Sequence, residues 1–229
     1  MKNLEALLKE LQNILSEPQT ERKTVQYPAK FLTIDHKSGS WQLVDRTTKE
    51  ATLLQKDIKV VTGQVLLQSK IFTSAGLLRA ISQIVLPSER KNMLDLISGE
   101  LWSEKVEALN DGDVVINSWL VPVVIDGSYT KAIWEIKRTA LKAVINFIQE
   151  NNLKNLNGLM LKLSLINRKE GGMKKWSEPK IVEYSNITEV KDEKLLQTLL
   201  DFTREFQEFR KNYNLQAIQN EDLSDVSEL

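Results

Sequence analysis

The chain has 229 residues, of which 41% are apolar and 27% are charged, a composition typical of a globular rather than a disordered protein. It contains no cysteine and a single histidine, His36, which excludes disulfides and thiolate or His-rich metal sites and argues against a Ser-His-Asp triad. Residues 1–16 include Glu5 and Glu10, and no apolar run approaches the roughly 20 residues that span a bilayer, so we expect a cytoplasmic protein with no membrane partner.

The first predicted element is an amphipathic helix near the start of the sequence. Pro18 ends it, and the polar, non-periodic residues 17–24 predict a linker, so we assign residues 1–23 to helix and linker. The apolar residues of this helix recur at helical spacing: Leu4, Leu7, Leu8, Leu11, Ile14 and Leu15.

Strand-like segments follow. Apolar runs near turn residues predict strands, and Gly63 predicts a bend or bulge inside the longest of them. The predicted strands cover residues 27–34, 41–44 and 57–72. Residues 77–86 fit either a helix or a strand, and Ser88 is placed to cap short helices within residues 89–109.

The middle of the chain predicts a strand pair that leads into a helix. Residues 114–125 predict one or two strands interrupted by Pro122, and residues 132–136 predict another strand. Thr139 is placed to cap the helix that follows, which ends near residues 151–152.

The last third predicts a hairpin and a long helix. Alternating leucines from Leu159 to Leu165 predict a strand that turns at Gly171-Gly172 and returns over residues 174–184. The helix is predicted at residues 192–212. Its apolar stripe consists of Leu195, Leu199, Phe202, Phe206 and Phe209.

These elements predict an α+β fold, either a small, partly open β-barrel of the OB type or a curved antiparallel sheet, with added N- and C-terminal helices. In this organisation residues 24–190 form the core domain and residues 191–215 form a C-terminal helix. Residues 216–229 are expected to be an acidic, disordered tail.

Charge is unevenly distributed, although the 31 basic residues are balanced by 31 acidic ones. Residues 151–180 contain seven basic and two acidic residues, most of the basic ones around the predicted hairpin turn. Single-strand binding needs cations along the phosphates and an aromatic face on which a base can stack. The residues of the hairpin that meet this need are Arg168, Lys169, Lys174, Lys175 and Trp176.

Other residues extend this candidate site. Lys137 and Arg138, at a strand-to-helix junction, add positive charge, and Trp41 and Tyr129, beside turns, offer further aromatic faces. Ordinary packing is the alternative interpretation of each aromatic side chain. The tail is a candidate partner-binding segment or a competitor for the protein's own basic face, and its acidic residues are Glu221, Asp222, Asp225 and Glu228.

A catalytic alternative uses Asp126, Glu135 and Lys137. Asp126 ends an apolar run, and Glu135 and Lys137 point to the same face of a strand. Metal-dependent nucleases of the restriction-enzyme type present an Asp and a Glu-x-Lys in this order, with the carboxylates holding Mg²⁺ and the Lys steadying the attacking water.

Residues 134–144 (WEIKRTALKAV), 156–163 (LNGLMLKL) and 174–176 (KKW) resemble a pattern in phage and mobile-element proteins, with a strand, a Thr-capped helix and a second strand. With the acidic tail, the segment broadly resembles phage-type single-stranded-DNA-binding proteins with an OB-like barrel. Gly158-Leu159 departs from the Gly-Lys pair of the pattern. The resemblance implies binding of single strands during DNA replication or recombination, with no cofactor.

The sequence therefore predicts a single-stranded nucleic-acid-binding protein, with DNA as the favoured ligand and no metal, rather than an enzyme. The first alternative is the metal-dependent nuclease. The second is a structural or adaptor protein that forms a homo-oligomer through its terminal helices.

Overall fold

A large, mostly antiparallel open sheet with helices on both faces forms the fold, which confirms the predicted α+β class. The computed structural model describes residues 26–168 and 176–215. The strands in this part of the chain are β1 (Lys30–Asp35), β2 (Ser40–Val44), β3 (Ala51–Leu53), β4 (Ile58–Thr62), β5 (Leu66–Phe72), β6 (Leu78–Ile81), β7 (Val114–Ile125), β8 (Thr130–Lys137), β9 (Leu159–Arg168) and β10 (Trp176–Asn186). The helices are η1 (Pro87–Asn92), α1 (Trp102–Glu107), α2 (Arg138–Glu150), η2 (Ile187–Glu189) and α3 (Glu193–Leu215), where η marks a 3₁₀ helix.

Eight of the described strands pair in the order β10-β9-β4-β7-β8-β1-β2-β3. The other two, β5 and β6, are outside this order: β5 pairs with β7, and β6 pairs with β5. The β1–β8 pair is parallel, whereas the other strand pairs of the described chain are antiparallel. The end strands β10 and β3 do not pair with each other in the described residues, so these strands form no closed barrel.

Residues 114–125 form the single strand β7, one of the two predicted alternatives, and its ladder to β8 continues through Pro122 without the predicted interruption. One edge of β7 pairs first with β5, as far as Leu120, and then with β4, from Val123 onward. Pro122 lies at the exchange between these two partners, where its carbonyl accepts a hydrogen bond from the Gly63 amide at 2.7 Å. The missing N–H of proline faces this gap, so the sheet loses no ladder hydrogen bond there.

The sheet curves strongly. Ser177 lies at the start of β10, and His36 directly follows β1. The Ser177 amide donates a hydrogen bond to Nδ1 of His36 at 3.1 Å. Four strands lie between β10 and β1 in the sheet order, and in a flat sheet five steps of about 4.8 Å would separate them by about 24 Å. The contact therefore requires the sheet to bend until these two strands approach each other.

The concave face of the sheet holds the largest hydrophobic core, which α2 covers. Val144 and Ile148 of α2 pack against alternating residues of β4, β7, β8 and β9. The leucines that predict β9, from Leu159 to Leu165, all point into this core, because successive side chains of a strand face opposite sides.

Helix α3 covers the opposite face. Its predicted apolar stripe is confirmed, and the buried members are Leu195, Leu199, Phe202 and Phe206. These side chains pack on β4, β7 and β8, so the stripe is used within the chain and is not presented to a second copy. The predicted N-terminal helix, residues 1–16, lies outside the described residues.

Two predicted helix caps are wrong. Pro87–Asn92 is a 3₁₀ helix whose N-cap is Leu86, so Ser88 lies inside it. Helix α2 begins at Arg138, after Lys137 as N-cap, and Thr139 therefore lies within the first turn. Strand β8 continues directly into α2, so the last residue of the strand, Lys137, is also the N-cap of the helix. In the described part of the chain, no helix combines the length and apolar character needed to cross a membrane.

Candidate nucleic-acid interface

The predicted basic hairpin is formed by β9 and β10. Trp176 pairs with Arg168 at the last register position before the turn, which confirms the hairpin itself. Residues 169–175, which include Lys169, Lys174 and Lys175, lie outside the described residues, as do the side chains of Arg168 and Trp176.

The described base of the hairpin is anchored to the β1–β2 turn by the bond from Ser177 to His36. Lys37, the next residue in this turn, is exposed. Because β1 and β8 are parallel neighbours, their carboxyl ends lie at the same end of the sheet. The predicted residues Lys137 and Arg138 are at the carboxyl end of β8, so the fold brings them to the end that carries the β1–β2 turn and the base of the hairpin.

The junction at Arg138 has an unusual backbone. Its φ is 54°, in the left-handed region, which costs about 1–2 kcal/mol for a residue with a Cβ atom. Arg138 is exposed and continues directly from β8 into α2. Strained backbone concentrates at functional positions in proteins, which makes this junction a candidate for function.

Glu135 is the centre of a charged cluster on the face of the sheet that α3 packs on. Its carboxylate accepts a hydrogen bond from Nη2 of Arg46 at 2.7 Å and lies 3.4 Å from Nζ of Lys137. The Glu135 side chain is 6% exposed, whereas that of Lys137 is 38% exposed. Burial raises the pKa of this carboxyl, but attraction to Arg46, Lys137 and Lys70 outweighs burial and sets the pKa at about 2.

These four residues, Arg46, Lys70, Glu135 and Lys137, are called the Glu135 cluster here. Arg46 and Lys137 contact the carboxylate, and Lys70 is near enough to help lower its pKa, so these four residues together carry a formal charge of +2. The guanidinium of Arg46 also lies over the Phe31 ring, with Cζ 3.7 Å from the ring centroid. This contact holds Arg46 against the sheet through a cation–π interaction.

Two of the predicted aromatic residues, Trp41 and Tyr129, do not join this site. Trp41 is fully buried, and its ring packs edge-on against Trp134 with centroids 6.1 Å apart, so it offers no face to a base in this structure. Tyr129 lies in the turn between β7 and β8, at the opposite end of β8 from Lys137. Its hydroxyl donates a hydrogen bond to Asp192 at 2.9 Å, and this bond, together with burial, raises the tyrosine pKa.

The residues of the nuclease alternative are far apart. Thr130 pairs with Ile125 and Glu135 pairs with Leu120, so Asp126, one residue beyond Ile125, lies about six strand residues from Glu135, or about 20 Å. Ligands of one ion lie about 2 Å from it, which rules out a shared ion at this separation. Among the residues that the structure describes, no three His, Asp or Glu side chains form a group that could hold a metal.

The acidic residues Glu221, Asp222, Asp225 and Glu228 lie outside the described residues. The last described helix turn is nevertheless informative, because the Tyr213 ring lies 6.4 Å from that of Tyr27. Arg46 of the Glu135 cluster lies 5.6 Å from the same Tyr27 ring. Tyr213, two residues before the last described residue, therefore lies close to Arg46 of the cluster.

The sequence analysis missed His36, Arg46 and Lys70. Arg46 and its partner Glu135 are 89 residues apart, and no local pattern connects them. Lys70 was missed because it lies within a run of residues that predicts a strand, and lysines are common at alternate positions of strands. No protein-family model, curated protein or solved structure matches this chain.

Proposed function

We propose that this protein binds single-stranded nucleic acid, with DNA favoured, along the end of the sheet where the β9–β10 hairpin meets β1 and β8. The observation that supports this most is the bond from Ser177 to His36. It ties the base of the basic hairpin to the end of the sheet that carries Lys137 and Arg138, which are distant in sequence from the hairpin.

Charge supports the same surface. A strand of nucleic acid needs cations spaced along its path, and each phosphate contact adds affinity that decreases with salt. Lys37, Lys137 and Arg138 belong to this end, and the hairpin contributes four more cationic residues from Arg168 to Lys175. In this proposal Trp176 supplies the stacking face.

We also propose that the sheet binds nucleic acid in the way that an OB-type barrel does. OB-type proteins bind oligonucleotides on the surface of a short, curved, partly open barrel. The approach of β10 to β1 across four intervening strands supports comparable curvature here. The ligand would then cross the strand ends at this approach rather than occupy the concave core, which α2 fills.

The acidic segment, residues 221–228, is proposed to compete with nucleic acid for this surface or to recruit a protein partner. Glu221 is eight positions after Tyr213, and eight steps of extended chain span at most about 26 Å. Arg46 is close to Tyr213 through the shared contact with Tyr27, so the chain between Tyr213 and Glu221 is long enough for the competition that we propose.

A direct test compares labelled oligonucleotides of ~20 nucleotides as single- and double-stranded DNA and RNA, by fluorescence anisotropy at ~50 and ~200 mM salt. We expect single strands to bind at least ten-fold more tightly than duplex, with affinity falling steeply as salt rises. Equal affinity for single and double strands, or no binding at the lower salt, would contradict the proposal.

A charge variant locates the site. Replacing Lys37 and Arg138 with glutamine is expected to weaken single-strand binding by about ten-fold. The matched control replaces Lys131 and Lys194 with glutamine and should leave affinity within two-fold. Lys131 pairs with Glu205 and Lys194 lies over the Tyr129 ring, and both contacts are at the opposite end of β8 from Lys137. Equal losses in the two variants would place binding elsewhere.

A further inference from the structure

The open side of β10 presents few backbone donors near the start of the strand. Strand β10 ends the strand order, and in the described chain β9 is its one strand partner. In an antiparallel pair, alternate residues direct their N–H groups towards the partner strand and away from it. Ser177 donates to His36 and so points away from β9, and the next residue on that side is Pro179, which has no N–H. Within residues 176–180, the Ser177 amide is therefore the one backbone donor on the open side of β10.

The imidazole of His36 occupies the place of a neighbouring strand at this position. Ser177 is 4% exposed, and a buried amide that loses its acceptor costs free energy. Strands β1 and β10 approach each other here, but they are not neighbours in the strand order. The contact from Ser177 to His36 thus joins the start of β10 to the end of β1 through a side chain, where paired strands would use a ladder of backbone bonds.

The β1–β2 turn holds the imidazole in place. The carboxylate of Asp35 accepts hydrogen bonds from the amides of Lys37 and Ser38 at 3.1 and 3.2 Å. Hydrogen bonds from the Ser38 side chain and the Lys37 amide lower the pKa of Asp35. This carboxylate therefore stays ionised between about pH 5 and 8, and the turn keeps its shape over that range.

Protonation of His36 removes the acceptor of this hydrogen bond. The bond needs the lone pair of Nδ1, so the ring is neutral and carries its proton on Nε2. An imidazolium ring donates from both nitrogens and accepts at neither. Histidine side chains take up this proton within about pH 5–8. His36 is exposed, so protons reach it from water, and it is the single histidine of the sequence.

Charges of both signs lie on the elements around this hydrogen bond. A carboxylate beside an imidazole favours the protonated ring, and a cation favours the neutral ring. The carboxylates are those of Asp35 and Glu178, and the cations are Lys37, Lys137 and Arg138, together with Arg168, whose side chain lies outside the described residues.

We propose that the contact between His36 and Ser177, called the His36 clasp here, is a pH-sensitive switch. At neutral pH it fixes the base of the β9–β10 hairpin to the end of the sheet. In acid, Nδ1 takes up a proton from water, the bond from Ser177 is lost, and the base of the hairpin is released. The clasp goes beyond the proposed function, whereas its effect on single-strand binding rests on that function.

The first experiment follows hydrogen exchange of the Ser177 amide in the full chain by NMR at about pH 7.5 and about pH 5.5. Exchange is expressed as a protection factor, which corrects for the pH dependence of exchange in an unstructured peptide. We expect wild-type protection to fall about five-fold in acid, as the loss of one hydrogen bond implies. The midpoint of this fall should coincide with the midpoint at which the imidazole signals of His36 change.

Two neutral variants separate the clasp from other effects of acid. His36→Asn places an amide oxygen near the position of Nδ1 and does not titrate, so protection of the Ser177 amide should be the same at both pH values. His36→Ala removes the acceptor and should show low protection at both. The Ser69 amide donates to the Ser82 hydroxyl in another part of the sheet, and its protection should be equal in all three proteins, which also shows that they are folded.

Two outcomes of this experiment would overturn the clasp. One is wild-type protection of the Ser177 amide that stays the same between the two pH values. The other is a fall in His36→Asn as large as that in the wild type, because this variant contains no histidine and another group would then control the contact.

The second experiment links the clasp to single-strand binding. Fluorescence anisotropy at about pH 7.5 compares the affinity of His36→Asn and His36→Ala for single-stranded DNA. Neither variant is charged at position 36, so a difference between them reports the clasp and not a lost charge. We expect His36→Ala to bind about three-fold more weakly, because its hairpin must be ordered during binding.

The outcomes separate the two proposals. Equal affinities of the two variants, with strong binding by the wild type, would reject the link between the clasp and the binding surface. No binding of single-stranded DNA by the wild type would reject the proposed function, while loss of Ser177 protection in acid would still support the clasp.

Discussion

Replacing Glu135 with glutamine is expected to destabilise the protein at neutral pH and to do so less in acid. In the folded chain the pKa of Glu135 falls from 4.5 to about 2. At about 1.4 kcal/mol per pKa unit, the charged carboxylate stabilises the folded state by about 3 kcal/mol. Glutamine keeps a hydrogen-bond acceptor for Arg46 but removes the buried negative charge that Arg46 and Lys137 contact, so we expect a loss of about 2–3 kcal/mol at pH 7.

The pH dependence follows from the depressed pKa. The stabilisation is complete above the unfolded-state pKa of 4.5, and it is lost as the pH falls from about 4.5 towards 2, where the folded-state carboxylate takes up its proton. The difference in the free energy of unfolding between wild type and variant should therefore be constant from pH 7 to about 5.5 and then shrink.

Urea unfolding at several pH values, followed by the fluorescence of the buried Trp41 and Trp134, measures this difference. The matched control is Glu205→Gln, which removes an exposed partner of Lys131 and should cost less than about 1 kcal/mol. A loss below about 0.5 kcal/mol for Glu135→Gln at pH 7, or a loss that stays the same at pH 2.5, would refute the reasoning.

Three further predictions concern the proposed interface. Lys174→Ala combined with Lys175→Ala should weaken single-strand binding and lower its salt slope by about 1.4 in an anisotropy titration, and an unchanged affinity and slope would exclude the hairpin. Deleting residues 221–229 should preserve or tighten binding, whereas loss of binding would contradict competition by the acidic segment. His36→Ala should speed hydrogen exchange at the Ser177 amide, and Lys37→Ala should not, because the imidazole accepts that hydrogen bond. An equally protected amide in both variants would show that the contact is not needed to hold the hairpin.

Patterns confined to one element were predicted well from the sequence. Alternating leucines identify β9 because only one face of this strand is buried in the core. The stripe from Leu195 to Phe206 identifies α3 because only one side of this helix is buried against the sheet. Pro122 was misread because a strand edge that changes partners tolerates a missing N–H, and the exchange from β5 to β4 is visible only in three dimensions.

The candidate site was predicted less well, because its residues are brought together by pairing between distant strands. Lys137 and Arg138 were identified from their local charge, but Arg46 and Lys70 reach Glu135 only through the sheet. Trp41 follows a turn, as an exposed aromatic would, yet the alternation of β2 points it into the core. Local sequence thus identified cations but not their neighbours.

The parallel β1–β8 pair has a consequence for how the chain folds. It joins residues such as Lys30 and Ala132, whereas β1, β2 and β3 form a local meander that can assemble on its own. At synthesis rates of about 5–20 residues per second, the meander waits roughly 4–17 seconds for β8 to be made. During that time the edge of β1 that pairs with β8 stays open at Phe31 and Leu32, so nascent chains that stop before β8 should be prone to aggregate.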